Sequence, residues 1–234
     1  MTRKPSIIRH QANPPRYEIK MVFSGLETKQ IHNLILGHSQ LFKVAFPPRQ
    51  VNNIYYDSED LQLLNAHIQG ANHRSKLRLR WYHDTWKFST SQYEIKSKSG
   101  NLGTKAVFRI SKEIDLTNIS WKQLLKTLQP HLAQNFQHLL ELTSPVLINK
   151  YQREYFESAD RLIRITLDTN LKSLGQTFGI HPNLKNYSAI RNLTILEIKA
   201  DATHHLKIVS ALEEFPQYCS AYSKYIHGTE TIPL

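Results

Sequence analysis

The sequence predicts an α+β protein built on an antiparallel β-barrel that forms a tunnel, with helices packed outside it. The first observation is that charges alternate with apolar residues inside strand-like segments, as in Lys76, Arg78 and Arg80 around Leu77 and Leu79. Successive strand side chains point to opposite faces, so this pattern gives one charged face and one apolar face. The second observation is that strands are many and crossovers few, which argues against strict βα alternation. We therefore expect these strands to close into a barrel, with their charged faces turned to a polar interior.

The first half of the chain begins with a polar, basic leader at residues 1–15, which we expect to be flexible. A single domain then spans residues 16–234. Ser24 and Ser58 are typical helix caps, and Gly70 is a typical helix stop. Between these signals, apolar residues at helical spacing indicate helices, and β-branched or aromatic runs indicate strands. The elements predicted here are strand 16–23, helix 24–42, strand 51–57, helix 58–70, and strands 76–82, 92–98 and 104–110.

The second half contains the longest amphipathic stretch, residues 120–142, with Leu124, Leu128 and Leu132 on its apolar side. Pro130 lacks a backbone N–H, so we expect it to kink or divide this helix. Ser158 to Asp160 is a turn signal that predicts a hairpin. The remaining predicted elements are strands 145–157, 161–169 and 194–200, helix 203–215, and a short tail containing Ser223, Lys224 and Tyr225.

Composition indicates an anionic partner and a reducing setting. The formal net charge is +11 and the pI is about 9.7, which favours nucleic acid, phospholipid, nucleotide or condensed phosphate as partner. The single cysteine, Cys219, excludes an internal disulfide, and we expect it to be a buried apolar residue. No secretory signal and no apolar run of about 20 residues is present, so no transmembrane segment is predicted. These features favour a cytoplasmic location, and peripheral contact with a membrane stays open.

Several functional classes lack their usual motifs. The chain has no His-Glu-x-x-His or Cys-x-x-Cys motif, which removes the common zinc signatures, and no Gly-Lys-Ser/Thr phosphate loop. Nucleic-acid binding is disfavoured, although aromatic groups near the basic strands could stack on bases. Most of these groups are better explained as part of the apolar outer surface of the barrel and of the hydrophobic core. They are Tyr55, Tyr56, Trp81, Tyr82 and Trp86.

The charged strand faces suit phosphate chemistry. Guanidinium groups match phosphate oxygens in pairs, and ammonium groups act as point charges. Phosphoryl transfer consists mainly of positioning and charge neutralisation, with a divalent metal bridging phosphate oxygens. Glu197 is the best candidate to hold that metal. Glu18 and Glu94 could bind metal or could form ion pairs with neighbouring Lys and Arg side chains. The candidate phosphate-binding residues are Arg78, Arg80, Arg153 and Arg164, with Lys20, Lys96, Lys105, Lys199 and Lys224 around them.

Eight stretches in order along the chain resemble the VTC domain, the polyphosphate polymerase domain of the triphosphate tunnel metalloenzyme superfamily. Each stretch is weakly specific, but the ordered set covers nearly all of residues 16–225. They are Arg16-Tyr-Glu-Ile-Lys20, Ile54-Tyr-Tyr-Asp57, Leu77-Arg-Leu-Arg-Trp-Tyr82, Tyr93-Glu-Ile-Lys96, Tyr151-Gln-Arg-Glu-Tyr-Phe156, Arg164-Ile-Thr-Leu-Asp168, Ile195-Leu-Glu-Ile-Lys199 and Tyr222-Ser-Lys-Tyr225.

The resemblance implies a tunnel that binds ATP, polyphosphate, pyrophosphate or triphosphate, with Mn²⁺ or Mg²⁺ held by Glu197. It further implies transfer of the γ-phosphate of ATP to a polyphosphate chain, with export of the product left to a separate membrane protein. A metal-dependent inorganic triphosphatase and a non-catalytic binding module are the alternatives. Arg109 is the alternative to Lys105 in the lining. The residues implied in catalysis are Lys20, Arg78, Arg80, Lys96, Arg153, Arg164 and Lys224, and those implied in substrate binding add Lys105, Lys199 and Ser223.

One departure distinguishes the chain from the CYTH branch of that superfamily, which contains cyclases and triphosphatases. That branch opens with Glu-x-Glu-x-Lys, whereas this chain has Arg16-x-Glu18-x-Lys20. A basic side chain, Arg16, therefore replaces one metal-binding carboxylate. Fewer acidic and more basic side chains favour polyphosphate binding over a two-metal triphosphatase.

Overall fold

The computed structural model describes residues 7–9, 16–100, 102–189, 193–216 and 220–232. The strands are β1 (Ile7–Arg9), β2 (Arg16–Ser24), β3 (Lys43–Asp57), β4 (His73–Tyr82), β5 (Lys87–Ser99), β6 (Leu102–Asp115), β7 (Ser144–Glu157), β8 (Ile163–Gly175), β9 (Ser188–Ala189) and β10 (Leu193–Asp201). The helices are α1 (Thr28–Leu36), α2 (Gln62–Ile68), α3 (Trp121–Leu128), α4 (Gln134–Glu141), α5 (His205–Glu213) and α6 (Lys224–Glu230). None of these helices combines the length and apolar character needed to cross a membrane.

The strands form one antiparallel sheet with the order β1-β6-β5-β4-β3-β7-β8-β10-β2, and β9 pairs with β8. The predicted α+β class with an antiparallel sheet and outer helices is confirmed. The sheet is nevertheless not closed by strand pairing, because within the described residues no ladder joins β2 to β6 or β1. At the free edge of β2, the backbone N–H of Ser220 donates to the carbonyl of Lys20 at 2.8 Å. The segment before α6 therefore occupies an edge that a closed barrel would pair with a strand.

The hydrophobic core lies on the outer face of the sheet, beneath the helices. Leu77, Leu79 and Trp81 of β4 pack in one buried cluster with side chains of α3 and α4. Met21 and Phe23 of β2 belong to a second cluster, which includes residues of α1 and α5. This burial supplies most of the stability of the fold and leaves the opposite face of the same strands to polar groups.

The helix predictions are correct in number up to residue 216 but differ at their ends. Pro130 divides the long amphipathic stretch, as expected, since a 3₁₀ turn at Gln129–His131 separates α3 from α4. Ser24 stays in β2, and α1 begins only at Thr28, where the Glu27 N–H donates to Gln30 Oε1 at 2.9 Å. The tail predicted after residue 215 contains a helix, α6, that local sequence signals did not indicate.

The N-terminal leader is described only in part. Ile7–Arg9 form strand β1, which pairs antiparallel with β6. Residues 1–6 and 10–15 lie outside the described residues, and the flexibility of the leader stays a prediction. The expectation for Cys219 also lies outside the described residues.

Candidate active site

The charged side chains of the strands share the face opposite α1, α3, α4 and α5, and α6 packs against this face by stacking Tyr225 on Tyr55. Register places them side by side, because residues directly opposite one another in neighbouring strands point to the same face. Lys76, Lys96 and Lys105 are aligned in this way, as are Lys199 and Arg164. The basic members of this face are Lys20, Lys76, Arg78, Arg80, Lys96, Lys105, Arg153, Arg164 and Lys199, joined by Lys224 from α6, and the acidic members are Glu18, Glu94, Asp168 and Glu197.

The sheet curves so that charges from its distant strands meet. Burial and the positive charges of Lys20 and Arg78 lower the pKa of Lys76 to about 8, although Lys20 lies on β2 and Lys76 on β4. Lys76 Nζ also donates to Ser223 Oγ at 2.9 Å, and Lys20 Nζ donates to the Tyr222 carbonyl at 3.1 Å. The segment 220–223 thus bridges β2 and β4, and the charged face is concave.

Lys96 lies in the same enclosed region. Its pKa is lowered to about 7 by burial first and then by the positive charge of Arg78, with Lys199 adding to the effect and Glu18 opposing it. Glu18 and Lys199 belong to β2 and β10, on the far side of the sheet order from β5. The ammonium of Lys96 is therefore held where an additional negative charge would stabilise it.

Glu94 is the centre of one ion-pair cluster. Arg78 Nε donates to Glu94 Oε2 at 2.7 Å, and Lys105 Nζ donates to Glu94 Oε1 at 2.9 Å. Burial raises the pKa of Glu94, but the charges of Arg78, Arg80 and Lys105 outweigh burial and hold that pKa well below its usual range. Arg80 Nε donates in turn to Asn53 Oδ1 at 2.8 Å. Both arginines are fixed with their guanidinium groups on the concave face.

Asp168 is the centre of a second cluster and is fully buried. Arg153 donates to both carboxylate oxygens, at 2.6 and 2.7 Å, and Lys224 Nζ lies 2.5 Å from Oδ2. Burial raises the pKa of Asp168, but Lys224 and Arg153 lower it further than burial raises it. Asp168 appeared in the sequence only as the last residue of a matching stretch. Its single signal was its position on the strand face of Arg164 and Thr166.

Glu197 is the centre of a third cluster between β2, β8 and β10. Lys199 Nζ donates to Glu197 Oε2 at 2.8 Å, while Lys20 Nζ and Arg153 Nη2 lie 4.0 Å from its carboxylate. Burial raises the pKa of Glu197, but the positive charges of Lys199 and Arg153 hold that pKa far below its usual range. Glu197 is therefore an ionised carboxylate in a buried, strongly basic setting.

Of the three clusters, the third offers a divalent cation two carboxylates, Glu197 and Glu18. Lys199 Nζ lies 2.8 Å from Glu197 and 4.0 Å from Glu18, so a positive charge already stands between two carboxylates. Within the described residues no group of three His, Cys, Asp or Glu side chains is close enough to hold a metal alone. Mg²⁺ commonly binds one or two carboxylates and takes its other ligands from phosphate and water. Glu197 and Glu18 are the residues that would hold such an ion.

One end of the concave face opens into a cleft of about 480 Å³. Arg164, which sequence analysis placed with the interior arginines, is exposed and lines this cleft with Arg16, Arg161 and Lys199. Glu157 and Asp201 contribute negative charge there, and the ring of His204 adds a polar group. The entrance is thus basic but less enclosed than the three clusters.

The structure brings most of the predicted residues together. Lys20, Arg78, Arg80, Lys96, Lys105, Arg153, Lys199 and Glu197 all lie on the concave face, and Ser223 and Lys224 reach it from the start of α6. Lys105 contacts Glu94, whereas its alternative, Arg109, is exposed. Lys76 and Asp168 were not assigned roles by sequence reasoning, and contacts across the fold are what associate them with the site.

Comparison with known families agrees with this arrangement. A model of the VTC domain matches residues 15–232. The chain belongs to the VTC domain family. Over 224 residues this VTC domain is 23% identical to vacuolar transporter chaperone complex subunit 4 of Trypanosoma brucei brucei, covering 78% of the chain. It spans only 28% of the length of that protein.

A solved structure shows the same fold at low sequence identity. It is a putative adenylyl cyclase from Hippeastrum described as having a dominant triphosphatase activity. The likeness has a TM-score of 0.50 and 16% identity, and it covers 93% of this VTC domain and 98% of the Hippeastrum chain. At this identity the comparison shows the likeness of fold alone and leaves the reaction to be argued from the residues.

Proposed function

We propose that this VTC domain is an ATP-dependent polyphosphate polymerase, which transfers the γ-phosphate of ATP to a polyphosphate chain bound along the concave face. The observation that carries the proposal is the excess of cations there: ten basic side chains surround four carboxylates. A single phosphate would not need so many positive charges. A chain of phosphates bears roughly one charge per unit and matches a basic lining that continues from the clusters to the cleft.

The proposed roles follow from the three clusters. Arg78, Arg80 and Arg153 would bind phosphate oxygens in pairs, because carboxylates and Asn53 already fix their guanidinium groups. Lys20 and Lys96 would neutralise charge as point cations. The terminal phosphate of the bound chain is already ionised near neutral pH, so no side chain has to remove a proton from the nucleophile.

Glu197, with Glu18, would hold Mn²⁺ or Mg²⁺. The bound ion supplies charge neutralisation between phosphate oxygens. For the ion to enter, the ammonium of Lys199 has to leave Glu197, and a phosphate oxygen is the partner that this ammonium would then take. Substrate and metal binding are therefore expected to support each other at this cluster.

A metal-dependent inorganic triphosphatase is the second candidate, and the position of Glu18 favours it. A second carboxylate beside Glu197 could help to orient a water molecule for attack on a terminal phosphate. Against it, the lining is far more basic than acidic, which suits a phosphate chain better than a short triphosphate. A binding module without turnover is the third possibility.

Incubation of the purified protein with ATP and Mn²⁺ tests these functions. Acid-insoluble polyphosphate, ADP and free phosphate should be measured separately. Polymer with stoichiometric ADP is the expected result. Rapid release of phosphate without polymer would support the triphosphatase, and tight triphosphate binding without turnover would support the module.

Partners and location are also part of the proposal. The substrates would be ATP and polyphosphate, with pyrophosphate or triphosphate as short acceptors, and a membrane-protein partner would export the product. We place the reaction in the cytoplasm, where ATP is abundant and a reducing environment suits a chain with one cysteine.

A further inference from the structure

Arg49 lies among three aromatic rings. Its guanidinium carbon is 5.9 Å from the ring centres of Phe46 and Tyr82 and 5.7 Å from that of Tyr155. Phe46 is 53% exposed and Arg49 is exposed as well, so this aromatic patch of Phe46, Arg49, Tyr82 and Tyr155 is open to solvent. Phe46 also lies edge-on to Tyr155, with ring centres 5.9 Å apart, so the rings form a contiguous patch, and contiguous exposed apolar surface is typical of a binding site.

A bulge in β3 creates the patch. Phe46 pairs with Tyr155 of β7, whereas Arg49 pairs with Arg153, so three steps along β3 match two steps along β7. In a regular strand, residues three positions apart face opposite sides. The extra residue at Pro47-Pro48 turns Phe46 and Arg49 to the same face, and proline is tolerated there because a bulge leaves its residue unpaired.

The patch is continuous with the candidate active site. Arg49 is the cross-strand neighbour of Arg153, which binds Asp168 and approaches Glu197. Burial raises the pKa of the Tyr155 hydroxyl, and the positive charges of Arg153 and Arg49 both partly oppose this rise. Glu157, two residues beyond Tyr155 on β7, lines the cleft. The patch therefore stands at the cleft end of the concave face.

Arg49 is available for a ligand. In the described ranges none of the ion pairs around the cleft or β7 involves Arg49. A guanidinium plane and aromatic rings attract planar π-systems by stacking and cation–π contact, and nucleobases are such systems. Phosphate, by contrast, gains nothing from three aromatic rings.

We propose that the aromatic patch binds the purine base of a nucleoside triphosphate whose phosphates occupy the concave face. This assignment rests on the proposed function, because it takes ATP as the phosphoryl donor. The two regions then have different roles. The clusters of Glu94, Asp168 and Glu197 recognise phosphates of any origin, and the aromatic patch distinguishes a nucleotide from inorganic triphosphate. Arg49 and Phe46 then determine donor preference without contacting the reacting phosphorus.

Phe46→Ala and Arg49→Lys test the assignment, with the dissociation constants of ATP and of inorganic tripolyphosphate measured for each variant in the same buffer. Arg49→Lys keeps the charge and removes the planar group. For both variants we expect the affinity for ATP to fall by about tenfold, while the affinity for tripolyphosphate stays within about twofold. Equal losses for both ligands would show that the patch binds phosphate, and no loss for either would show that it binds neither; both results overturn the proposal.

Two controls keep the result interpretable. Phe178→Ala removes an aromatic ring that is 75% exposed on the loop before β9 and should change neither affinity. Thermal denaturation of each variant checks folding independently of ligand.

If wild-type protein forms no polymer but the ATP-specific loss is found, the proposed function fails and the base site stands. If polymer forms while the variants keep wild-type affinity for ATP, the base site fails alone.

Discussion

Arg153 and Asp168 form a two-point ion pair, with Nε 2.6 Å from Oδ1 and Nη2 2.7 Å from Oδ2. Lys224, the first residue of α6, contacts the same carboxylate. One buried acid thereby ties the sheet, the C-terminal helix and two candidate phosphate ligands together. Its negative charge offsets the repulsion between those two cations while no substrate is bound.

Asp168→Asn should destabilise the ligand-free protein by about 3 kcal/mol, because it leaves Arg153 and Lys224 buried without a counter-charge. Urea denaturation measures the loss. Tripolyphosphate should restore more stability to this variant than to wild type, since its oxygens can replace the missing carboxylate. Asp84→Asn, which alters an exposed acid paired with Lys150, is the matched control. Equal stabilisation of wild type and Asp168→Asn by tripolyphosphate would contradict a phosphate-binding role for Arg153 and Lys224.

Glu197→Gln should abolish metal-dependent turnover and leave binding of tripolyphosphate, measured without divalent metal, nearly unchanged. The amide keeps the shape of the side chain but no longer supplies a charged oxygen. We expect a loss of turnover larger than the roughly 10- to 100-fold effect of removing an outer-shell partner of a metal ligand. Activity as a function of Mn²⁺ concentration is the measurement, with exposed Glu113→Gln as control. A fully active Glu197→Gln variant would show that the metal lies elsewhere.

Arg78 should have a structural role that can be separated from its proposed binding role. Arg78→Met leaves buried Glu94 with Lys105 as its remaining close partner and should cost about 3 kcal/mol of stability. The double variant Arg78→Met/Glu94→Gln removes both charges and should recover most of that loss. Its affinity for tripolyphosphate should stay low, as measured by calorimetry. Recovery of both stability and affinity would remove Arg78 from the phosphate ligands.

Lys96 and Lys76 should make the stability of the ligand-free protein rise between about pH 7 and 9. Their pKa values are lowered to about 7 and about 8, mainly by burial. In this window the unfolded chain, with lysine pKa values near 10.4, binds more protons than the folded protein, so raising the pH favours folding. These values correspond to roughly 3 kcal/mol over this interval, read from urea midpoints. A flat profile for wild type, or the same slope in Lys96→Met, would contradict this assignment.

Binding of tripolyphosphate near pH 8 should be accompanied by proton uptake. The ligand's negative charge favours the protonated form of Lys96 and raises its pKa toward the ordinary value. Calorimetry in buffers of different ionisation enthalpy measures the number of protons taken up. We expect up to about one proton per ligand from Lys96, and less in Lys96→Met. Equal uptake by the variant would assign the protons to other groups.

Local patterning predicted the strands with useful accuracy, because an alternating charge pattern has the same meaning wherever the strand lies in the sheet. Arg78 and Arg80 on β4, and Glu94 and Lys96 on β5, face the side that their sequence phase indicated. Helix ends were predicted less well. Ser24 is a good cap by type, yet pairing with Leu193 keeps it in β2.

Contacts between distant parts of the chain escaped prediction. Asp168 has an ordinary strand sequence around it, and only the approach of Arg153 and Lys224 gives it a role. Lys76 was visible as a charge but not as a partner of Ser223, 147 positions away. The bulge at Pro47-Pro48 likewise depends on the register that β3 adopts against β7.

The sequence by itself determined the antiparallel α+β class, the charged and apolar faces of the strands, and the family, because each depends on residue type and local periodicity. The tertiary structure decided that the sheet stays open beside segment 220–223, that α6 brings Lys224 to Asp168, and that Arg49 lies among aromatic rings. These outcomes depend on how side chains far apart in sequence satisfy one another's charges and hydrogen bonds. Such pairings depend on the folded geometry and leave no periodic pattern in the chain.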